Sequence, residues 1–218
     1  FSTPSNPLGW TATTQELEAL VAFSRRTGTW ILSDEIYNRL SFSAETAPSI
    51  LRVAEEEDLA IAINGFSKAW AMTGWRLGWL THPPSVSPSL SAMTQYMNSG
   101  TAAFVQAGGV AALTDGEETV RTIRARCKAG VDAAYEALAG LNSVILPDKP
   151  EAGMYVTFAL EGEADSRAAC TRILEEARVG LAPGWLFGES SNALVRMCIC
   201  RDTGQIAEAG ARIARALG

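Results

Sequence analysis

Residues 59–84 read LAIAINGFSKAWAMTGWRLGWLTHPP. Residues 59–64 form a near-continuous apolar run that closes on Asn64 and Gly65. Its length and composition are those of a strand buried on both faces. Residues 77–82 (LGWLTH) form a second strand candidate, stopped by Pro83 and Pro84. The two runs lie too close together for a helical crossover, which predicts an antiparallel pair. Between them sit an amine, Lys68, and a guanidinium, Arg76.

Working outward toward the N-terminus, residues 29–33 (TWILS) form another buried-strand candidate, ending on Asp34 and Glu35. Before it, residues 14–26 carry Leu17, Leu20 and Val21 at helical spacing, and Thr13 with Glu16 supplies a capping box. Strands alternating with helices predict an α/β layering. Toward the C-terminus the chain reads as helical from about residue 86. Residues 117–139 place Val120, Ile123, Cys127, Val131, Ala134, Tyr135 and Leu138 at steps of three and four, a long amphipathic helix that connects to a second domain. Then follow an apolar run at 153–160, a helix at about 166–178, a short run at 179–182, a run at 193–200 and a closing helix at about 203–217. That order fits a split α/β layer. The expected domains are 1–115 and 116–218, the second including the connecting helix.

Composition narrows the function. The 218 residues are 47% apolar and 19% charged, an ordinary globular balance. A formal net charge of −6 argues against a nucleic-acid partner, which needs a basic surface. No apolar run is long enough to span a membrane, and no leader opens the chain. Cys127, Cys170, Cys198 and Cys200 form no disulfide framework, and Cys198 and Cys200 are expected to share one strand face as small hydrophobes. A reducing cytoplasm follows. The single histidine, His82, removes His-based metal clusters and leaves any Ser-His-Asp triad dependent on one residue beside two prolines, so no metal site is expected. The chain starts at Phe1 in an apolar-to-turn segment, which reads as the interior of a longer protein.

Ligands of open α/β sheets bind outside the carboxyl ends of the strands. Asp34 ends one run, Lys68 follows another, and the Asn6-Pro7-Leu8-Gly9 turn follows the opening segment. Such an acid, amine and amide suit a ligand with a cationic ring nitrogen and a carbonyl carbon. Each residue also has a plain structural reading. Asp34 can cap residues 36–40, Lys68 can be a solvated loop lysine, and Asn6 before Pro7 can simply open a turn. Tyr37 can be a core aromatic, and Arg76 a surface cation. Arg196, inside an apolar run, needs a partner if buried.

The wording of these segments goes further than their position. Residues 64–78, NGFSKAWAMTGWRLG, closely resemble the lysine motif of the class I/II, fold-type-I aminotransferases that use pyridoxal phosphate. Ser5-Asn6-Pro7-Leu8-Gly9 resembles the family's Asn-Pro-Thr-Gly turn, with Leu8 for threonine. Ser33-Asp34-Glu35-Ile36-Tyr37 resembles its Asp-Glu-x-Tyr segment, and Val195-Arg196-Met197 its carboxylate-binding strand. The resemblance covers the whole chain but only the later part of the family's usual length. It implies part of the large cofactor domain, a mostly parallel sheet with one antiparallel strand, followed by the small C-terminal α/β domain.

It also implies roles. Lys68 carries pyridoxal 5'-phosphate as a Schiff base and shuttles the substrate Cα proton. Asp34 keeps the ring nitrogen protonated, and Tyr37 and Asn6 donate to the phenolic oxygen. Arg76 grips the phosphate as a bidentate fork, and Arg196 holds the substrate carboxylate. Gly65 stands where the family often has a phosphate-binding hydroxyl, a role Ser67 can take; Leu8 is a structural change. The family's glycine-rich phosphate cradle and ring-stacking aromatic have no counterpart here, so the fragment alone is expected to be inactive. The implied reaction exchanges an amino group between an amino acid and a 2-oxo acid, in a homodimer when intact. No basic residue lies in 95–106, which disfavours a dicarboxylate-specific enzyme. A β-lyase on the same fold and a non-catalytic sensor domain are the alternatives.

Overall fold

Thr13 opens the first helix as the capping pattern predicts: its hydroxyl accepts from Glu16 N at 3.2 Å, and the Glu16 carboxylate accepts from Thr13 N at 2.7 Å. This helix, α1 (Thr14–Thr27), buries Leu17 and Val21 and ends on Gly28 at φ 71°. The computed structural model describes residues 1–217, and the chain divides into two compact units. The first comprises Phe1–Ser5 and Trp10–Arg124; the second comprises Asn6–Gly9 and the residues from Ala125 on.

The first unit is built on a three-stranded mixed sheet of β1 (Ile31–Asp34), β2 (Ala60–Gly65) and β3 (Gly78–Thr81), in that order. β1 and β2 run parallel, with Asp34 opposite Ile63, and β3 runs antiparallel to β2. Phe1–Ser5 lies along the free side of β1: Asp34 N donates to Phe1 O at 3.0 Å and Thr3 N to Asp34 O at 2.9 Å. β1 is therefore satisfied on both edges at its carboxyl end. Leu17, Val21, Ile31, Ile50, Ala60 and Ala62 form the core beneath it. Glu35, fully buried, accepts from Ser33 Oγ at 3.0 Å and from Ile50 N at 2.8 Å, which fixes the chain beyond β1.

The β2–β3 pairing depends on two small residues. Gly65 faces Gly78, and a Cβ on Gly78 would lie 2.7 Å from Asn64 O. Because that oxygen is backbone, Gly78→Ala is expected to destabilise the unit by about 1–3 kcal/mol, read as a lower urea midpoint at unchanged slope.

The helical stretch after β3 resolves into α2 (Ser87–Asn98) and α3 (Ala103–Asp115), broken at Ser99 and Gly100 with φ of 58° and 95°. Gly109 is the buried residue of α3, while Phe104, Val110 and Leu113 are exposed, as are Tyr96 and Met97 on α2. Then comes α4 (Glu117–Leu138), whose residues fall to the first unit up to Arg124 and to the second after it.

In the second unit, β4 (Val144–Ile145), β5 (Tyr155–Leu160), β6 (Ala182–Pro183) and β7 (Leu194–Cys198) form an antiparallel sheet in the order β4-β5-β7-β6. α5 (Ser166–Ala177) starts on Asp165, whose carboxylate accepts from Arg167 N and Ala168 N. α6 (Thr203–Leu217) closes the chain. Val156, Phe158, Ile173, Val195, Met197, Ile206 and Ile213 are buried. Cys198 is exposed rather than packed as a small hydrophobe, because it lies on the β7 face opposite Val195 and Met197.

Candidate active site

Parallel pairing sets the first cluster. With Asp34 in register with Ile63, the ends of β1 and β2 are adjacent strand termini about 4.8 Å apart. The chain leaves β1 through a turn in which the Asp34 carboxylate accepts from Ile36 N at 3.2 Å. It thus shapes the turn itself, and the following 3-10 segment (Asn38–Leu40) has Tyr37 rather than Asp34 at its cap position. Tyr37 is 4% exposed. Leaving β2, the chain passes Ser67 and reaches Lys68, whose Nζ lies 5.8 Å from the centre of the Tyr37 ring. Lys68 is half-buried and, among the described residues, forms no salt bridge.

The lysine segment is held from outside. Phe66 N donates to Leu77 O at 3.2 Å and Met72 N to Phe66 O at 3.3 Å, which closes the loop on itself. The Phe66 ring meets Trp70 at 5.2 Å and Trp79 at 5.1 Å. Trp70 Nε1 donates to Ala112 O at 3.0 Å, and Arg39 lies 5.8 Å over the Trp70 ring while its Nη2 reaches both Glu117 oxygens at 2.7 and 2.8 Å. Sequence reading missed Arg39, Trp70 and Glu117 in this role, since nothing local pairs residues so far apart in the chain.

Arg76, at φ 51°, is exposed and donates from Nη1 to Thr73 O at 2.9 Å. It lines an open cavity of about 760 Å³ with Asn64, Trp79, His82, Thr94 and Asn98, which Lys68, Asp34 and Tyr37 do not line. A Cβ on Gly65 would sit 3.0 Å from Leu77 O and 3.1 Å from Ile36 Cδ1, so the strand pairing leaves little room for a hydroxyl-bearing side chain there. Ser67 is half-buried beside Lys68. His82 follows β3 and turns its Nδ1 to Pro83 O at 3.0 Å, a loop histidine.

The second cluster centres on Arg196. On β7 it stands opposite Thr157 of β5 and Ala182 of β6. Tyr155, two residues before Thr157, shares that strand face. The Arg196 guanidinium lies 4.1 Å from the Tyr155 ring centre and 4.7 Å from that of Phe187. Its Nη1 donates to Asn6 Oδ1 at 2.7 Å. Arg196 Nε is buried with no hydrogen-bond partner, a donor that a bound acceptor would satisfy. A planar fork close to two aromatic rings matches a carboxylate. Asn6 is fixed from the other end of its turn: Gly9, at φ 70°, sits where a Cβ would be 2.5 Å from Pro150 Cβ.

The family model for aminotransferase class I and II matches residues 1–213. The chain belongs to this family. An aspartate aminotransferase from Thermotoga maritima is 34% identical over 188 residues, 86% of this chain and 48% of the relative. An LL-diaminopimelate aminotransferase from Maridesulfovibrio salexigens is 32% identical over 213 residues, 97% of this chain and 54% of the relative. Among solved structures, an aromatic aminotransferase from Pyrococcus horikoshii OT3 superposes with a TM-score of 0.91 at 28% identity, over 99% of this chain and 58% of the other. The chain thus spans about half the length of the relatives it matches.

Pyridoxal 5'-phosphate is the cofactor of class I and II aminotransferases, and the donor set fits it. An aldehyde needs an amine free of ion pairs, as Lys68 is. A ring nitrogen that holds a proton needs a carboxylate, which Asp34 offers at the neighbouring strand end. No helix among the described residues is long and apolar enough to cross a membrane.

Proposed function

We propose that the protein carrying this chain transfers an amino group between an amino acid and a 2-oxo acid, with pyridoxal 5'-phosphate attached at Lys68. The observation that carries this reading is the unpaired amine of Lys68 beside Tyr37, at the carboxyl edge of the parallel pair that ends on Asp34. When bound, the cofactor supplies an electron sink for the pair released from the substrate Cα–H bond.

The chain's own residues do the rest. Lys68 Nζ anchors the cofactor covalently and moves the proton at the substrate Cα. The Asp34 carboxylate would hold the cofactor's ring nitrogen and favour its protonated form by ion pairing. Tyr37 and Asn6 would donate hydrogen bonds to the cofactor's phenolic oxygen, and Arg76 and Ser67 would hold its phosphate. Arg196 orients the substrate through its α-carboxylate, so that the Cα–H bond is presented for cleavage. Its unpaired Nε and its closeness to two aromatic rings support that assignment.

In this reading the first unit is the later part of the cofactor-binding large domain and the second is the small C-terminal α/β domain. The exposed apolar side chains Tyr96, Met97, Phe104, Val110 and Leu113 support assembly as a homodimer. The free cysteines support a reducing, cytoplasmic setting.

The test is an assay of the complete protein, loaded with pyridoxal phosphate, against aspartate, LL-diaminopimelate and aromatic amino acids. Stoichiometric formation of a 2-oxo acid and a new amino acid is the expected result. Ammonia release from a β-substituted amino acid without transfer would assign elimination instead. Cofactor binding with neither reaction would point to a sensor.

A further inference from the structure

Among the described residues, Glu35 is the one carboxylate that the fold buries completely. Its Oε1 accepts from Ser33 Oγ at 3.0 Å and from Ile50 N at 2.8 Å, and its Oε2 is buried with no hydrogen-bond partner. An apolar side chain would fill this space without desolvating a carboxylate, yet it would leave the Ser33 hydroxyl and the Ile50 amide without that acceptor. The role of Glu35 therefore lies in what it holds together. Ile50 opens a 3-10 turn (Ile50–Arg52), which Ser49 caps by accepting from Leu51 N at 3.2 Å. The Ile50 side chain packs in the core with Leu17, Val21 and Ile31. One carboxylate oxygen thus ties the end of β1 to a turn anchored in the core.

The main chain is held at the same point. Glu35 N donates to Ile63 O at 2.9 Å, which carries the β1–β2 ladder one residue past Asp34. Asn38 N donates to Glu35 O at 2.9 Å, which closes the turn that carries Ile36 and Tyr37. Alternation along this stretch puts Ser33 and Glu35 on the buried side and the partly exposed Asp34 on the other. Asp34 is thus the single residue between two side chains hydrogen-bonded to each other, and its own carboxylate accepts from Ile36 N inside the turn. From this arrangement we propose that Glu35 is a positioning residue: through Ser33 Oγ and Ile50 N it sets where the Asp34 carboxylate stands for the cofactor's ring nitrogen. The inference rests on the pyridoxal phosphate reading above and adds to it a residue on the opposite face of the strand end.

This role asks only for an acceptor at Oε1. Glutamine keeps that oxygen on a side chain of the same length with a neutral head, whereas alanine removes it and opens space in the core. A displacement of about 1 Å at a catalytic group can lower a rate by roughly a hundredfold. For Asp34 the first consequence would be a weaker ion pair with a protonated ring nitrogen. The expected signature is therefore a change in cofactor protonation and in turnover, with substrate binding, assigned to Arg196, left as it is.

The experiment loads the complete protein with pyridoxal phosphate labelled with 15N in the ring, as wild type and as Glu35→Ala, Glu35→Gln, Ser33→Ala and Asp34→Asn. It reads the cofactor's Kd, the ring-nitrogen chemical shift at pH 7.5, and kcat and KM for amino-group transfer. Glu35→Ala is expected to raise the Kd about tenfold, to move the nitrogen shift toward the unprotonated ring, and to lower kcat by roughly 10–100-fold at nearly unchanged KM for the amino acid. Glu35→Gln is expected to restore the nitrogen shift and to bring kcat within about threefold of wild type. A glutamine variant as impaired as the alanine variant would make the effect one of charge and overturn the positioning role. A loss in Asp34→Asn together with wild-type values in a folded Glu35→Ala would overturn this proposal and leave the cofactor reading standing; wild-type values in Asp34→Asn would overturn both. If Glu35→Ala does not fold, Ser33→Ala decides: a smaller nitrogen shift in the same direction supports the proposal, and a wild-type shift overturns it.

Discussion

Replacing Lys68 by alanine is expected to lower amino-group transfer by about three orders of magnitude or more and to abolish the visible absorbance of the lysine-bound cofactor. The expectation rests on chemistry that only this side chain offers in its neighbourhood. Its amine lies against the Tyr37 ring, and the charged groups that anchor the surrounding loop pair with one another instead: Arg39 with Glu117, for example. Removing an amine that forms no ion pair leaves no buried carboxylate behind, so the fold should survive and the thermal midpoint should change little. Lys68→Arg is expected to be as inactive as alanine, because a guanidinium stays protonated and cannot attach or accept a proton at neutral pH. A variant with the band intact, or with activity within tenfold of wild type, would remove Lys68 from the mechanism. Absorbance scans and single-turnover rates on the complete protein decide it.

For Arg196→Ala the expected loss is in kcat/KM, by roughly 10²–10³-fold, equivalent to about 3–4 kcal/mol of charge-assisted pairing with a carboxylate. The cofactor band should persist, since Arg196 is assigned to the substrate. The guanidinium lies close to the Tyr155 and Phe187 rings with Nη1 on Asn6 and Nε unpaired, so it is held in place before any ligand arrives. Much of the ordering entropy of a flexible arginine is thereby settled on folding. Arg196→Lys is expected to recover little, because an ammonium neither stacks flat on both rings nor presents a fork. If the alanine variant instead loses the cofactor band while its stability is unchanged, the residue belongs to the cofactor site.

The two variants separate two kinds of information in the chain. Lys68 was legible because its surroundings are local: an apolar strand, a short loop and a second strand lie within residues 59–84, and their order alone predicts the antiparallel return. Asp34 was legible as a strand end for the same reason. Arg196 was legible only as an arginine in an apolar run that required a partner. That its partners are Tyr155, Phe187 and Asn6 could not be read, because Asn6 is 190 residues away and joins the second unit through a four-residue segment. The break between α2 and α3 was missed as well, since residues 86–115 carry apolar residues on every side and no periodicity marks where one helix ends.

The sequence by itself determined the family, the α/β alternation, the capped first helix, and the strand-end positions of Asp34 and Lys68. Each of these depends on residues within a turn, a strand or one helix face, where spacing in the chain is spacing in space. Tertiary structure alone decided which donors are already paired: Arg39 with Glu117, Trp70 with Ala112 O, and Arg196 with Asn6. Those pairings join distant segments, held by close approaches such as Gly9 on Pro150, and distance along the chain carries no record of them.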